Sequence, residues 1–264
     1  MTEHDYRIDP RPSITQLAKL DSMPPLHARQ AWSAPSTPQM RLGTAVHCAI
    51  LTPDEFDRRY VRGIDVDRRT KDGKARWEAF LAEAEGREVL DPDDHDAVMQ
   101  MRESVSRCDA AGYLRLMDAV EVPRFATIAG VEVKGRPDAF ATRGPAAGAL
   151  IEIKTTSGMA TPAEFERSIA SFGYGFQAAG YSMLLERNDL AVRYPIFVVV
   201  ESKPPHGCAV FLLRDEVIAW YRPRVEAAAR LYAECRESGS WPGHPTTVQE
   251  IGLPRWHEAM RQLG

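Results

Sequence analysis

Two short segments carry residues that could do chemistry on a phosphate. Gly135-Arg-Pro-Asp138 ends one predicted strand, and Ile151-Glu-Ile-Lys154 lies in the next. Because alternate side chains of a strand share a face, the two isoleucines should point into the core while Glu152 and Lys154 emerge together opposite. The proline ends the ladder and leaves the Asp138 carboxylate facing outward. The sequence therefore predicts two carboxylates and a lysine at one edge of a sheet.

This residue set favours metal-assisted chemistry. Hard divalent ions such as Mg²⁺ are commonly held by one or two carboxylates together with water and substrate phosphate. A bound ion polarises the phosphate and lowers the pKa of its water, and a lysine two residues beyond a ligand can stabilise the developing charge. Alone, Glu152 and Lys154 would read as an exposed pair without consequence. Asp138, 14 positions before Glu152, favours the chemical interpretation.

The elements that must position these residues follow from periodicity. From about residue 119 the apolar period changes from 3.6 to 2. Segments 119–128 and 131–140 flank Ala129-Gly130 and predict a hairpin, residues 149–156 predict a strand, and residues 195–202 and 208–214 predict two more. Helices are predicted from Pro162, burying Phe165, Ile169 and Phe172, then over 176–186 and 216–237.

The N-terminal half is predicted to be helical. A capping box at Ser13–Gln16 opens a short helix, and a second ends at Trp32. Residues 39–51 form a buried helix that carries His47. After a basic connector over 62–74, amphipathic helices follow over 75–86 and 92–107.

Together these segments resemble the PD-(D/E)XK nuclease signature. Within that superfamily the chain is most similar to the RecB-like branch and to phage-type exonuclease VIII (RecE-type) nuclease domains. The resemblance covers roughly residues 5–258. It is carried by GRPDAF and LIEIKTT, and by the following further segments: Leu42–His47 (LGTAVH), Gln177–Tyr181 (QAAGY), Trp241–His244 (WPGH) and Leu253–Trp256 (LPRW).

The resemblance assigns roles to individual residues. His47, Asp138 and Glu152, joined by the backbone carbonyl of Ile153, would bind Mg²⁺ or Mn²⁺. Lys154 would be the catalytic lysine, with Glu152 and Asp138 acting beside it. His47 on its own would more often be a core histidine.

Other residues are assigned to DNA binding or support of the site, with alternatives left open. Gln177 and Tyr181 share a helix face and either touch DNA or pack the helix on the sheet. Arg136 reaches a phosphate or pairs with an acidic neighbour, and Thr155 follows the lysine directly. Glu121 stands where relatives carry a further carboxylate, which gives it an indirect or transient role at the metal. The basic residues of the connector (Arg68, Arg69, Lys71, Lys74) are either a solvated loop or a phosphate contact.

Composition sets broad limits. The net charge of −4 excludes a chain that coats nucleic acid nonspecifically but allows a local basic groove. Four widely spaced cysteines predict reduced thiols rather than a metal cluster or disulfide framework. No apolar run suits a membrane span or secretion signal, so a cytoplasmic protein without membrane contact is expected. The clustered carboxylates would outnumber nearby cations, which predicts that Asp138→Asn stabilises the metal-free protein.

We therefore expect an α/β fold, a PD-(D/E)XK core with a central mixed sheet flanked by helices. Residues 1–264 would form one domain, with a helical part over 1–110, the nuclease core over 118–235 and a tail over 236–264. The expected activity is metal-dependent exonucleolytic hydrolysis of linear duplex DNA, 5′→3′, in phage-type recombination. The resemblance also implies a ring-forming homo-oligomer and a single-strand annealing partner. Alternatives are a single-strand or flap nuclease and a catalytically silent DNA-binding protein.

Overall fold

The computed structural model describes residues 3–253, and helices form the N-terminal part of this range. They are α1 (Glu3–Ile8), α2 (Ile14–Ser22), α3 (Pro25–Trp32), α4 (Pro38–Leu51) and α5 (Pro53–Arg59). The predicted capping box is confirmed: the Ser13 side chain accepts from the Gln16 backbone N–H, and the Gln16 side chain accepts from that of Ser13. The predicted helix that carries His47 is also confirmed, but only its second half is buried, and Met40 in its first turn is 58% exposed. This helix is α4, and the Thr37 side chain caps it.

A small α/β unit follows α5. It contains β1 (Tyr60–Arg62), α6 (Lys71–Glu83), β2 (Glu88–Leu90) and α7 (Pro92–Arg107), and a 3₁₀ helix over Asp109–Leu116 comes after it. β1 and β2 pair in parallel. The sequence did not predict this pair, because three residues per strand are too few to show a period of 2. The basic connector also ends earlier than predicted, since α6 begins at Lys71 with Thr70 as its cap.

Seven strands follow: β3 (Ala119–Val120), β4 (Arg124–Ile128), β5 (Val131–Gly135), β6 (Ala139–Phe140), β7 (Ala149–Thr156), β8 (Tyr194–Glu201) and β9 (Cys208–Leu212). Five of them form a mixed sheet in the order β3-β6-β7-β8-β9, in which β7 and β8 are parallel and the other pairs antiparallel. The predicted hairpin is confirmed as β4-β5, and Ala129 and Gly130 both have the positive φ angles that a tight hairpin turn requires.

The position of β7 corrects one expectation. The residues of the candidate site were predicted at an edge of the sheet, but β7 is its central strand. β6 is only two residues long, so its pairing with β7 is limited to Leu150 and Ile151. The second half of β7 therefore borders a gap inside the sheet, beyond the point where β6 begins.

Helices cover both faces of the sheet. α8 (Pro162–Phe172), α9 (Tyr174–Glu186) and α10 (Asp215–Ser238) complete the described elements. Leu150 belongs to a core built with α2, α9 and α10, whereas Ile151 and Ile153 belong to a second core built with α4 and α7. Burial on both faces explains the continuous apolar run of β8 and the apolar first three residues of β7.

The predicted burial of the aromatic residues of α8 is confirmed for one residue and wrong for another. Phe165 is buried as predicted, but Phe172 at the end of α8 is 69% exposed, so its predicted burial is wrong. It lies in the last turn of α8, just before the left-handed Gly173 that ends the helix.

All four cysteines are free thiols, as expected. Over residues 3–253, no helix combines the length and the apolar character needed to cross a membrane.

Close packing of α2 against α9 depends on a glycine. A β-carbon at Gly180 would lie 2.5 Å from Cγ2 of Ile14, a fully buried side chain of α2. Contacts this short force neighbouring atoms to shift, and the interior has little free space to absorb the shift.

We predict that Gly180→Ala lowers the free energy of unfolding by roughly 1–3 kcal/mol, because overpacking outweighs the better helix propensity of alanine. Gly112→Ala is the matched control, since a β-carbon there meets no atom within 4 Å. Urea denaturation of both variants measures the difference. Equal stability of the two would show that α2 and α9 are not packed as described.

Candidate functional site

Asp138 and Glu152 meet where β6 begins. Ala139 pairs with Ile151, so the antiparallel register places Asp138 opposite Glu152. The Asp138 backbone N–H donates to Oε1 of Glu152 at 3.2 Å, and Oδ2 of Asp138 accepts from the Ile153 backbone N–H at 2.7 Å. An aspartate side chain thus takes the hydrogen bond that a longer β6 would have supplied.

Pro137 explains why the ladder ends here. The same register, continued by two residues, would place Pro137 opposite Ile153. Proline has no backbone N–H, so it cannot donate to the Ile153 carbonyl. This carbonyl is consequently available as an oxygen ligand.

Lys154 pairs with Glu152 inside the protein. The Lys154 Nζ atom lies 3.0 Å from Oε2 of Glu152, and the two side chains are 12% and 2% exposed. Burial, with the nearby charge of Asp138, raises the pKa of Glu152 to about 7 although Lys154 opposes the shift. Burial lowers the pKa of Lys154, but the charges of Glu152 and Asp138 more than offset it and the net shift is upward. Lys154 therefore keeps its charge at neutral pH.

His47 reaches Asp138 from α4, which packs on the second core. Its Nδ1 atom lies 3.3 Å from Oδ1 of Asp138. Burial lowers the pKa of His47, yet the Asp138 charge and hydrogen bond outweigh burial and raise it overall. Burial likewise opposes ionisation of Asp138, but His47 and the Ile153 N–H hold its pKa below the usual range. The structure thus brings together all four residues that the sequence placed at the centre of the site.

Two carboxylates and a backbone carbonyl are oxygen donors of the kind that a hard divalent ion prefers, and His47 would add one imidazole nitrogen. Within residues 3–253, however, no three His, Cys, Asp or Glu residues already form a group that could hold a metal. The carboxylate oxygens instead accept from Ile153, Lys154 and the Asp138 backbone. Metal binding would therefore have to compete with these hydrogen bonds.

The expected excess of negative charge is wrong. His47 lies beside one carboxylate and Lys154 beside the other. Removing the charge of Asp138 would relieve its repulsion of Glu152, which contributes to the raised pKa of Glu152, but it would also break the pair with His47. We expect the loss of the pair to dominate, so that Asp138→Asn is less stable than wild type without metal.

Glu121 lies next to the site along the backbone. Its N–H donates to the Asp138 carbonyl at 2.9 Å, and its φ angle is +48°, unusual for a residue with a side chain. Burial raises the pKa of the Cys48 thiol, and the Glu121 charge adds to the shift.

Gln177 and Tyr181 support the site from α9. The Gln177 side-chain nitrogen donates to the Tyr181 hydroxyl at 3.2 Å. Tyr181 is 5% exposed and packs so closely on β5 that a β-carbon at Gly135 would lie 2.9 Å from its ring. This packing favours the structural alternative for Tyr181, whereas Gln177 is half-buried.

The remaining basic residues lie elsewhere or have other partners. The Arg136 guanidinium lies over the Tyr6 ring, 5.2 Å from its centroid. In the connector, Arg69 pairs with Asp67 and Arg68 stacks on Trp77. These contacts favour the solvated-loop interpretation of the connector.

The C-terminal motifs are partly described. Trp241 packs edge-on against Trp32, with ring centroids 5.3 Å apart, so WPGH anchors the segment after α10 to α3. Of the LPRW segment only Leu253 is described, and residues 254–256 lie outside the described range.

Sequence reasoning missed Tyr174. Tyr174 lies between the two glycines of the break that separates α8 from α9. The Lys154 ammonium lies 5.1 Å from the centroid of its ring. An aromatic residue fixed between two glycines was the available signal.

The chain belongs to the family described as a PDDEXK-like domain of unknown function (DUF3799), whose sequence model matches residues 21–251. The assignment to the PD-(D/E)XK superfamily is thereby confirmed, and the chain is a nuclease-like domain. No curated protein matches the sequence.

Several solved structures are similar to this chain to different degrees. The structure of a protein from Eubacterium rectale named "Putative exonuclease" is similar with a TM-score of 0.66, over 98% of this chain and 97% of that one, at 11% identity. A phage related exonuclease from Haemophilus somnus has a TM-score of 0.38 at 14% identity, covering 87% of this chain and 96% of that one. LHK-Exo in complex with dAMP has a TM-score of 0.30 at 14% identity, covering 87% and 93%. The first likeness confirms the predicted fold class, a mixed sheet flanked by helices.

We predict that Mn²⁺ at millimolar concentration raises the melting temperature relative to EDTA, because an ion that binds only the native state stabilises it by mass action. At 100 times the dissociation constant the gain is about 2.7 kcal/mol. Asp138→Asn should be less stable than wild type in EDTA and gain less from Mn²⁺. The measurement is thermal unfolding of both proteins with EDTA, Mg²⁺ or Mn²⁺. An identical rise in melting temperature in both proteins would show that Asp138 is not a metal ligand.

Proposed function

We propose that this protein is a metal-dependent exonuclease that hydrolyses phosphodiester bonds of DNA. The observation that carries the proposal is the meeting of His47, Asp138, Glu152 and Lys154 at the gap beside β7. Membership of a PD-(D/E)XK family and the nuclease-like fold support it.

Each residue has a proposed role. His47, Asp138, Glu152 and the Ile153 carbonyl would hold Mg²⁺ or Mn²⁺, with Glu121 as a neighbouring carboxylate. When bound, such an ion polarises the phosphate and lowers the pKa of its water. Lys154, held cationic by its two carboxylate neighbours, would stabilise the negative charge that develops on the phosphate oxygens.

The finer substrate assignment rests on the resemblance of the sequence motifs to RecE-type nucleases. It gives linear duplex ends as substrate, 5′→3′ polarity and a role in phage-type recombination, with a ring-shaped homo-oligomer and a single-strand annealing partner. Gln177, Thr155 and Arg136 are proposed to contact DNA or to support residues that do.

We predict that Asp138→Asn, Glu152→Gln and Lys154→Met each remove nearly all hydrolysis of a labelled linear duplex. When catalytic residues act as a unit, the enzyme loses most of its activity if any one of them is replaced. His47→Ala should be comparably impaired. The measurement is release of labelled nucleotides in Mg²⁺ or Mn²⁺. Wild-type rates in any of the first three variants would contradict the proposal.

A control for folding is needed, because breaking a buried ion pair typically costs about 3–5 kcal/mol. Glu186→Gln removes a carboxylate from the half-exposed Arg222–Glu186 pair and should keep full activity. Thermal unfolding of every variant shows whether an inactive protein is still folded at the assay temperature.

We also predict rapid degradation of linearised plasmid and little action on the closed circle, because an exonuclease requires an end. The measurement compares both forms in Mg²⁺ on a gel. Nicking or linearisation of the circle at a comparable rate would indicate an endonuclease. Binding of DNA without hydrolysis in any metal would favour the catalytically silent alternative.

A further inference from the structure

A cavity of about 230 Å³ opens beside Lys154. One side is formed by the end of β7 and the residue after it, with Thr155 and Ser157. The other side includes Phe172 and Tyr174, from the end of α8 and the start of α9. Pockets that bury drug-sized ligands typically measure about 300–1000 Å³, so this one suits a smaller fragment.

Aromatic rings connect this cavity to the candidate site. Tyr174 lies against the Lys154 ammonium, and the Phe172 ring follows with its centroid 5.7 Å from that of Tyr174. Phe172 is 69% exposed, although it sits on a helix that buries Phe165. A large aromatic ring left open to solvent beside a cavity presents a face for stacking.

The lining favours an uncharged, flat, polar-edged group. Among the described residues that line the cavity, Lys154 alone carries a charge. Hydroxyl groups come from Thr155, Thr156, Ser157, Ser168, Tyr174 and Ser202. Within the protein, the Ser168 hydroxyl donates to the Glu164 carbonyl, and the Thr156 hydroxyl accepts from the Gly158 N–H. Hydroxyls both donate and accept, so they can meet the mixed donors and acceptors on the edge of a nucleobase, while the ring stacks on its face.

We infer that this cavity receives one base of the DNA substrate, next to the phosphate held at Lys154, with the base stacked on Phe172. The inference rests on the proposed nuclease function and specifies how that site holds its substrate. A base in this position has left its own duplex stack, so the enzyme must unpair that nucleotide before hydrolysis. The cost of unpairing is smallest for mismatched ends.

A double-mutant cycle between ring and base tests the inference. One set of duplexes carries a single abasic residue at each of the first three positions of either strand. Single-turnover hydrolysis in Mn²⁺ is measured with wild type, Phe172→Ala and Phe172→Trp. The control is Tyr194→Ala, an exposed aromatic at the start of β8, opposite Ala149 at the far end of β7 from Lys154.

At one position, loss of the base should slow hydrolysis by the wild-type enzyme roughly 5- to 100-fold, the usual range for base–aromatic stacking. Phe172→Ala should be slowed similarly on the intact duplex and no further by the abasic residue, whereas Phe172→Trp should restore the rate. The Tyr194→Ala variant should behave as wild type. Independent, multiplicative losses from ring and base at every position would overturn the inference.

Binding without metal separates this inference from the proposed function. The fluorescence of 2-aminopurine at the identified position is already quenched by stacking in the free duplex. In EDTA it should stay quenched on wild type, where the base stacks on Phe172, and rise on Phe172→Ala, where the base has left the duplex without a ring to stack on. Phe172-dependent quenching without any hydrolysis in Mg²⁺ or Mn²⁺ would leave the base site standing and overturn the proposed nuclease activity. Hydrolysis without Phe172-dependent quenching would support the proposed nuclease activity and overturn the base site.

Discussion

The hydrogen bond from the Ile153 N–H to the Asp138 carboxylate is the constraint on which the site depends. It replaces a ladder bond that β6 is too short to provide, and it turns the end of a strand pair into a fixed position for a charged group. The same junction orients Glu152, because the Asp138 N–H donates to its carboxylate. Two acidic side chains are thereby held by backbone geometry rather than by flexible contacts. Such preorganisation is what catalytic and binding sites require of their scaffold.

The charges at this junction are balanced at a cost. Glu152 and Lys154 are nearly excluded from water, and desolvating an ion pair offsets much of its Coulombic gain. The pair therefore contributes less to stability than its 3.0 Å separation suggests. Its position next to Asp138 and His47 favours a role in a functional site over a role in structural support, since groups with shifted pKa values, such as Glu152, gather at functional sites.

Much of this arrangement follows from the sequence. The cap at Ser13, the hairpin turn at Ala129-Gly130 and the apolar alternation in β7 are local signals, and the helix and strands they predict are present. Chain order does not determine sheet order, so the central place of β7 could not be predicted from its pattern. Phe172 fits the apolar face of α8 by spacing, but burial also needs a neighbour, and that depends on tertiary packing. The pairing of His47 with Asp138 joins residues 91 positions apart, and the resemblance, rather than any periodicity, indicated it.

The turn between β6 and β7 lies at the opposite end of these strands from the candidate site. Residues 141–148 connect Phe140 to Ala149, and the Thr142 N–H and hydroxyl donate to Asp118 there. The opposition of Asp138 and Glu152 is set by the pairing of Ala139 with Ile151, not by the number of residues in this connection. Insertions or deletions within the connection would leave both carboxylates in place. The 14-residue interval is therefore a property of one loop, and a search pattern with fixed spacing would overlook relatives whose loops differ in length.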